Sequence, residues 1–279
     1  MQYPPKRKVK WAIAIPSSLI SECRDLREQT TKVGIVGRAA AIFRVDEIYV
    51  YKEGEKASYY QEIIYSILKY MECPQYLRKY LFPRIKQLKY AGVLPPLRTP
   101  HHPLKSERII VKGHEYREGV VIENDPVKNK STVYIGLDKP ITCSPARPLF
   151  SRVTVDVDCC RILSKEEVPV YWGYDVIKAE SLLNAIKISN ADFVLGTSRY
   201  GVMIGEVEED LKTKLFSRTR KVLIIFGGPH KGIYEILKEE EVDPESVCDL
   251  IVNFVPYQGT KTVRTEEAVL IVLSILNAI

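Results

Sequence analysis

The stretch Val222-Leu-Ile-Ile-Phe-Gly-Gly-Pro-His-Lys-Gly232 decides the fold of this 279-residue chain. Its apolar, largely β-branched first half is typical of a buried strand, and Gly-Gly-Pro ends that strand abruptly. A helical pattern follows over residues 233–241. Glycines let the backbone approach a ligand closely, and ligands of α/β proteins sit outside the carboxyl ends of such strands. The stretch therefore predicts a strand–loop–helix unit with a binding site at its loop.

Two further loops repeat this arrangement near the C-terminal end of the chain. A strand over residues 193–195 runs into the loop 196–201, and a strand beginning at Leu250 runs into the loop 253–260. Three such loops are expected to border one pocket. None of them contains the dinucleotide fingerprint G-x-G-x-x-G or the P-loop G-x-x-x-x-G-K-[ST]. The pocket therefore suits a neutral or zwitterionic nucleoside held by backbone amides and carbonyls.

Strands and helices alternate on both sides of a different central segment. Outside that segment, strands are expected over 9–15 and 48–51, and helices over 19–32, 38–43, 57–68, 74–81 and 176–189. Alternation of this kind is typical of a parallel sheet. Within the central segment, short strands separated by turn signals are expected over 108–112, 116–123, 131–137 and 152–157. This pattern favours a small β-barrel or sandwich. The expected organisation is one α/β domain (1–91 and 168–279) interrupted by a β module (92–167).

Composition narrows the class of protein without naming a function. The chain is 46% hydrophobic and 27% charged, with a formal charge of +6, which is compatible with a nucleic-acid partner. The six cysteines form no C-x-x-C pair, Cys159-Cys160 is a poor metal clip, and no leader pattern is seen, so reduced cytoplasmic thiols and no metal site are expected. Six Gln and six Asn among many Lys and Glu indicate a thermophile.

The final apolar run, residues 268–279, is too short to span a bilayer, so no membrane association is expected. A helix that is apolar on nearly every side must be buried on nearly every side. Thr265 is a plausible N-cap for this helix. Two environments satisfy the pattern equally well. The helix either forms a subunit interface or lies within its own core.

Three motifs resemble those of a known family. Strand-Gly-Gly-Pro-His-x-Gly-helix is followed by Asn253-x-x-Pro-x-Gln-Gly-Thr-x-Thr-Val-Arg-Thr-Glu-Glu-Ala268, and Arg38-Ala-Ala-Ala-Ile-Phe-Arg-Val-Asp-Glu-Ile48 stands nearer the start. These segments are similar to the motifs of the trefoil-knotted SPOUT RNA methyltransferases. The β module resembles the OB-like insertion in the archaeal and eukaryotic branch of that family. The resemblance covers essentially the whole chain.

The resemblance implies a knotted, mostly parallel sheet with helices on both faces and an inserted OB-like β-barrel. It also implies S-adenosylmethionine bound in a bent shape, ribosomal or transfer RNA methylated on a base nitrogen or a ribose 2′-oxygen, and a homodimer formed partly through the last helix. Carried over residue by residue, the cofactor-binding positions are Thr197, Ser198, Phe226, Gly227, Gly228, Gly232, Val252, Asn253, Phe254, Gln258, Gly259 and Thr260.

The family's catalytic arginine corresponds to Arg38. A guanidinium stays charged in proteins, so we expect Arg38 to clamp a phosphate or stabilise a developing anion, not to act as a base. The alternative is an ordinary surface salt bridge. A histidine imidazole can accept a proton, so His230 is a candidate base, or it could be a turn residue that faces solvent.

Four arginines are candidate RNA contacts. Single-stranded RNA needs basic and stacking side chains, and the β module offers both. The alternative is an ordinary solvated barrel surface. The candidates are Arg117, Arg147 and Arg152 in the β module, and Arg264 beside the third loop.

Two competing functions stay open from the sequence. One is a non-catalytic RNA-binding or assembly protein that keeps the knotted scaffold, and cofactor binding distinguishes it from an enzyme. The other is an α/β protein that binds a small molecule. That protein would show no salt-dependent RNA affinity.

Overall fold

The computed structural model describes residues 3–217 and 219–279, with residues 216 and 217 described by their backbone alone. The chain divides into two compact units. The larger unit contains residues 7–69, 87–95 and 174–279, and the smaller contains the chain up to residue 6 together with 70–86 and 96–173. The sequence boundary at residue 92 assigned 70–86 to the α/β domain, whereas the structure groups this segment with the β module.

The regular elements are as follows in chain order. The strands are β1 (Lys10–Pro16), β2 (Glu47–Tyr51), β3 (Ile110–Val111), β4 (His114–Asp125), β5 (Lys130–Tyr134), β6 (Ile141–Cys143), β7 (Arg152–Asp156), β8 (Arg161–Leu163), β9 (Asp175–Ala179), β10 (Phe193–Met203), β11 (Lys221–Ile225) and β12 (Leu250–Asn253). The helices are α1 (Leu26–Ile42), α2 (Ala57–Glu72), α3 (Arg78–Leu81), α4 (Leu182–Ser189), α5 (Ile204–Ser217), α6 (Ile233–Glu239), α7 (Pro244–Val247) and α8 (Thr265–Ala278).

The larger unit is built on a parallel sheet, as the alternating pattern predicted. Its strand order is β12-β10-β11-β1-β2-β9, and each of these neighbours pairs in parallel. Strand β11 lies between β10 and β1, so Ile224 stands opposite both Leu195 and Ile13. A strand buried on both faces needs a continuous apolar run. The segment Val222–Ile225 supplies one and is buried throughout.

Helix α1 corrects two helix predictions. The expected helix over 19–32 is a 3-10 turn (Ser17–Ile20) followed by the start of α1, and the expected short helix over 38–43 is the end of α1. The Asp25 side chain accepts the Glu28 backbone N–H at 2.9 Å and so fixes the true start. Gly34 is tolerated inside the helix because it permits a close approach, since a Cβ atom there would lie 3.0 Å from Leu94.

The predicted helix over 176–189 is wrong in its first part. Residues 175–179 form β9, which pairs with β2 at the edge of the sheet, and the helix α4 begins only at Leu182. The Ser181 side chain accepts the Asn184 backbone N–H and marks that start. Pairing with β2 outweighs the local helical periodicity of this segment.

The predicted loop 196–201 lies inside the long strand β10. The pairing of β10 with β12 breaks between Thr197 and Val202, where the register shifts. Residues 198–201 therefore project out of the ladder at the carboxyl end of the sheet. The predicted position of the irregularity is therefore confirmed, but the segment is an interruption within a strand and not a loop that ends it.

The smaller unit contains an antiparallel sheet, and its short strands agree with the strand-rich pattern predicted for the β module. The strand order is β6-β5-β4-β7-β8, and β3 pairs with β4. The twelve-residue strand β4 is central, and side chains from β4 and its neighbouring strands build the core, among them Val121, Val133, Val153 and Val155. The expected helix over 74–81 is a 3-10 turn followed by the short helix α3.

The terminal helix α8 packs against α1 within the larger unit. Val269, Val272, Leu273 and Leu276 are buried there, while Leu270 is 42% exposed. The helix begins after Arg264, whose backbone N–H donates to Glu267, so the prediction that Thr265 is the N-cap is wrong. Among residues 3–217 and 219–279, no helix has the length and apolar character needed to cross a membrane.

Candidate functional site

A cavity of about 210 Å³ lies at the carboxyl ends of β10, β11 and β12. The three glycine-rich or irregular segments that follow these strands surround it, in agreement with the general position of ligand sites in α/β folds. The structure brings ten of the twelve predicted cofactor positions together around this cavity. They are Thr197, Ser198, Phe226, Gly227, Gly228, Gly232, Val252, Asn253, Phe254 and Gln258.

The middle segment can contain only glycine at its turn. A Cβ atom on Gly227 would lie 2.9 Å from the Cα of Gly232 and 3.0 Å from the carbonyl oxygen of Lys231. The Gly228 N–H donates to that same carbonyl at 2.8 Å and closes the turn. Because the obstacles are backbone atoms, side-chain motion cannot relieve the contact. The glycines therefore maintain the shape of the cavity wall.

Hydrogen bonds tie the three segments to one another. The Asn253 side chain donates to the carbonyl of Arg199 at 3.0 Å, and the Arg199 guanidinium donates to the carbonyl of Lys261 at 3.0 Å. The Thr265 hydroxyl donates to the carbonyl of Gly227 at 2.9 Å. The segment between β12 and α8 is thereby fixed against both other segments, and the cavity has a defined third wall.

The cavity wall includes several residues that the sequence did not single out, and two of the predicted cofactor positions are not among the residues that line it. Gly259 and Thr260 lie outside the wall, where the Thr260 hydroxyl donates to the carbonyl of Thr262. The missed members include one charged side chain from α6 and two residues of the β10 irregularity. The wall residues that the sequence did not single out include Arg199, Tyr200, Glu235, Thr262, Val263 and Thr265. Glu235 could have been identified from the sequence, because it lies in the first turn of α6 directly after the glycine turn.

The two residues proposed for the chemistry occupy different places. His230 is exposed and lines the cavity, so it can reach a bound molecule. Arg38 is half-buried on α1 and is not among the residues that line the cavity of this single chain. Arg199 does line the cavity of the single chain, and its guanidinium could supply there the positive charge that was expected of Arg38.

Arg117 corrects one of the RNA-contact predictions. Its side chain is 1% exposed, and its guanidinium donates to the carbonyls of Ile135, Glu107 and Leu104 at 3.1, 3.0 and 3.4 Å. A buried arginine needs this kind of complete pairing, since an unpaired buried charge is costly. Arg117 therefore supports the core of the smaller unit and does not face RNA.

Arg152 is also part of an internal network. Its guanidinium pairs with the buried carboxylates of Glu72 and Glu118, each at 2.5 Å, and His101 lies 3.1 Å from Glu72. Burial alone would raise the pKa of the Glu72 carboxyl, but Arg152 and His101 outweigh that effect and hold this pKa well below its usual range. The expectation that Arg152 contacts RNA is corrected because its charge is used inside the unit.

Arg147 and Arg264 remain on the surface. Arg147 is exposed in the turn before β7, next to the exposed side chains of Leu149 and Phe150. Arg264 is exposed at the start of α8. Both positions are accessible to a polyanion, and neither contributes to the cavity wall.

The cavity, its glycine turn and the parallel sheet define an α/β protein with a candidate ligand site, and comparison with known proteins gives the family. A family model described as "Putative RNA methyltransferase" matches residues 10–276. The chain belongs to this RNA methyltransferase family.

Several relatives support the assignment. The 28S rRNA (uridine-N(3))-methyltransferases of Drosophila melanogaster and Homo sapiens are 34% and 33% identical, each over 95% of this chain. The match spans 61% of the length of the Drosophila protein and 77% of that of the human one. An uncharacterized protein of Haloarcula marismortui is 31% identical over 95% of this chain and 98% of its own length.

Replacing Gly227 by alanine should destabilise the larger unit. The new methyl group would collide with backbone atoms of residues 231 and 232, and the expected loss is about 1–3 kcal/mol of unfolding free energy in urea. Gly259→Ala is the matched control, because a Cβ atom there meets nothing within 4 Å and should change stability by less than about 0.5 kcal/mol. Equal stabilities for the two variants would contradict the close packing of the turn.

Replacing Glu72 by glutamine should destabilise the chain by about 3–5 kcal/mol at pH 7, because Arg152 loses a buried partner. The folded-state pKa of Glu72 is depressed, so its contribution is complete above the unfolded pKa of about 4.3 and declines as the pH falls below it. Denaturant unfolding at several pH values measures the difference. The exposed pair of Lys105 and Asp138 gives the control, since Asp138→Asn should cost less than about 1 kcal/mol. If Glu72→Gln also lowered the unfolding free energy by less than about 1 kcal/mol, this result would contradict the buried network of Glu72 and Arg152.

Proposed function

We propose that the protein transfers a methyl group from S-adenosylmethionine to ribosomal RNA. Family membership supplies the reaction class, and the cavity at the ends of β10, β11 and β12 supplies the site. The observation that carries the proposal is the set of ten predicted cofactor positions that border one cavity. A non-catalytic RNA-binding or assembly role is the alternative, and a cofactor-binding measurement decides between the two.

The cavity fits a nucleoside cofactor in two respects. Glycine at 227, 228 and 232 leaves backbone groups uncovered, which can approach an adenine ring. Two buried polar atoms, the Ser18 hydroxyl and a Glu53 carboxylate oxygen, lie behind Gly228 and have no hydrogen-bond partner among the described residues. Buried polar groups are normally paired, so both have capacity for a further partner such as an ordered water, and neither residue itself lines the cavity. When bound, S-adenosylmethionine supplies an electrophilic methyl group.

We infer that the acceptor is a uridine N3 atom, because relatives that match most of this chain are named for that modification. The N3 atom carries a proton that must leave before or during transfer. His230 lines the cavity and carries an imidazole that can accept that proton, and a positively charged arginine beside the acceptor can stabilise the developing anion. Arg199 lines the cavity in the same chain.

Arg38 is proposed for the same electrostatic role from a second copy of the chain. It lies on α1, which packs against α8, and it does not line the cavity of its own chain. Apolar side chains are exposed on this pair of helices, namely Ile35 and Ile42 on α1 and Leu270 on α8. An exposed apolar face of this kind favours association. A homodimer through α1 and α8 would cover these side chains.

The proposed architecture is the knotted SPOUT fold with an OB-like insertion. The parallel sheet of the larger unit is compatible with this fold, and the hydrogen bonds from Arg199 to Lys261 and from Thr265 to Gly227 hold the segment before α8 against its neighbours. The antiparallel sheet of the smaller unit is compatible with an OB-like barrel.

Two exposed arginines are proposed as RNA contacts. On the smaller unit, Arg147 with the exposed Phe150 offers a charge and a stacking ring, the pairing that single-stranded RNA uses. Arg264 is proposed as a phosphate contact beside the cavity.

The purified protein should bind S-adenosylmethionine in calorimetry and form 3-methyluridine in unmodified ribosomal RNA, detected by mass spectrometry of nucleosides. Arg38→Ala should keep the cofactor affinity but lose about 100-fold or more in transfer rate, because charge stabilisation is removed. Arg27→Ala, an exposed arginine on the same helix, is the control and should behave as the parent. No interaction at millimolar cofactor would reject the enzyme and leave the assembly role. Full activity of Arg38→Ala would remove that residue from the mechanism.

Leu270→Asp should convert a dimer into a monomer, because a carboxylate on the exposed apolar face of α8 would lose its hydration in the interface. Light scattering should give about twice the chain mass of 31.9 kDa for the parent. Ile188→Asp on α4 provides the control, since that side chain is similarly exposed but lies on another helix. A monomer mass for the parent protein would reject the proposed dimer.

A further inference from the structure

A cluster of three side chains in the smaller unit brings different metal-binding groups together. His114 opens β4, Asp156 closes β7, and Cys159 lies in the turn before β8. The donor atoms of these three residues all lie within 4.8 Å of one another. The cluster is outside the larger unit and has no part in the proposed methyl transfer.

Backbone structure fixes where each group points. Strand β3 turns into β4 through Lys112 and Gly113, both with positive φ (52° and 87°), the type I′ geometry of a tight hairpin. Antiparallel pairing of β4 with β7 places Tyr116 opposite Asp156, two residues beyond His114. The site therefore rests on paired strands and not on a loose loop.

The contacts of His114 exclude a proton relay of the Cys–His–Asp type. The Nδ1 atom lies 2.9 Å from the Asp156 Oδ2 atom and 3.6 Å from the Cys159 Sγ atom. A relay needs the two partners on different ring nitrogens. Here a thiol and a carboxylate face the same nitrogen, so three electron-pair donors converge on one point.

We propose that His114, Asp156 and Cys159 bind a zinc ion. Imidazole, thiolate and carboxylate are zinc ligands, and nitrogen and sulfur ligands of a tetrahedral zinc ion lie about 3.6 Å apart. The observed Nδ1–Sγ separation of 3.6 Å has this value. The Nδ1–Oδ2 separation of 2.9 Å opens to about 3.4 Å on binding, which a small side-chain rotation provides.

The second shell supports this assignment. Asp156 uses its other oxygen, Oδ1, to accept the Cys159 backbone N–H at 3.0 Å, which orients both ligands and leaves Oδ2 for the ion. The adjacent cation Arg161 is paired with Glu167 at 3.0 Å. His114 and Cys159 are accessible to solvent, so an ion can enter and a water can complete a four-coordinate site. Bound zinc would join the β3–β4 hairpin to the β7–β8 turn.

The full chain, treated with a chelator and dialysed, should take up one Zn²⁺ in calorimetry. Co²⁺ should produce the absorption of a cobalt–thiolate bond in the same protein. Cys159→Ser and His114→Ala should each weaken zinc binding by about tenfold or more and abolish the thiolate band. Cys160→Ser is the matched control, since this neighbouring exposed cysteine lies outside the cluster and should leave both signals unchanged.

Three results would overturn the proposal. The first is no uptake of zinc or cobalt by the parent chain. The second is binding by Cys159→Ser as strong as that of the parent, and the third is an equal loss in Cys160→Ser, which would indicate adventitious thiol binding. Circular dichroism of each variant distinguishes loss of ligand from loss of fold. Methyl transfer does not enter any of these measurements.

Discussion

The pairing of β11 with both β10 and β1 is the constraint on which the larger unit depends. The two strands that pair with β11 belong to segments almost two hundred residues apart, and β11 brings them into one sheet. Its residues Val222–Ile225 are buried on both faces, so they provide much of the core as well as the register. Because β11 is followed by Phe226 and then by the turn at Gly227, the strand that orders the sheet also places the cavity.

The two units use polar groups in different ways. In the larger unit, backbone carbonyls of Arg199, Gly227 and Lys261 accept bonds that position the cavity wall. In the smaller unit, buried charged side chains connect the strands, since Arg117 and Arg152 are held by carbonyls and carboxylates. The first arrangement holds the wall through uncharged backbone groups, and the charged side chains of Arg199, Lys231 and Glu235 also line the cavity. The second gives the β module an interior whose stability depends on pH.

Local signals explain which features the sequence could predict. The run ending at Gly227 is apolar, β-branched and then abruptly flexible, so strand and turn followed from the residues themselves. Residues 176–179 carried a helical pattern, and only the distant partner β2 makes them a strand. Arg152 was expected on the surface because arginines usually are, while its partner Glu72 lies 80 positions away. Likewise, 45 residues separate His114 from Cys159, so no spacing rule could join them.

The hydrogen bond from Thr265 to the Gly227 carbonyl has a thermodynamic consequence. It connects the first residue of α8 to the turn that shapes the cavity, so a molecule that shifts the turn must also shift the helix. Two binding events linked through a shared element influence each other equally in both directions. If a partner covered α8 and a ligand occupied the cavity, any change that one made in the affinity of the other would be returned by the same factor.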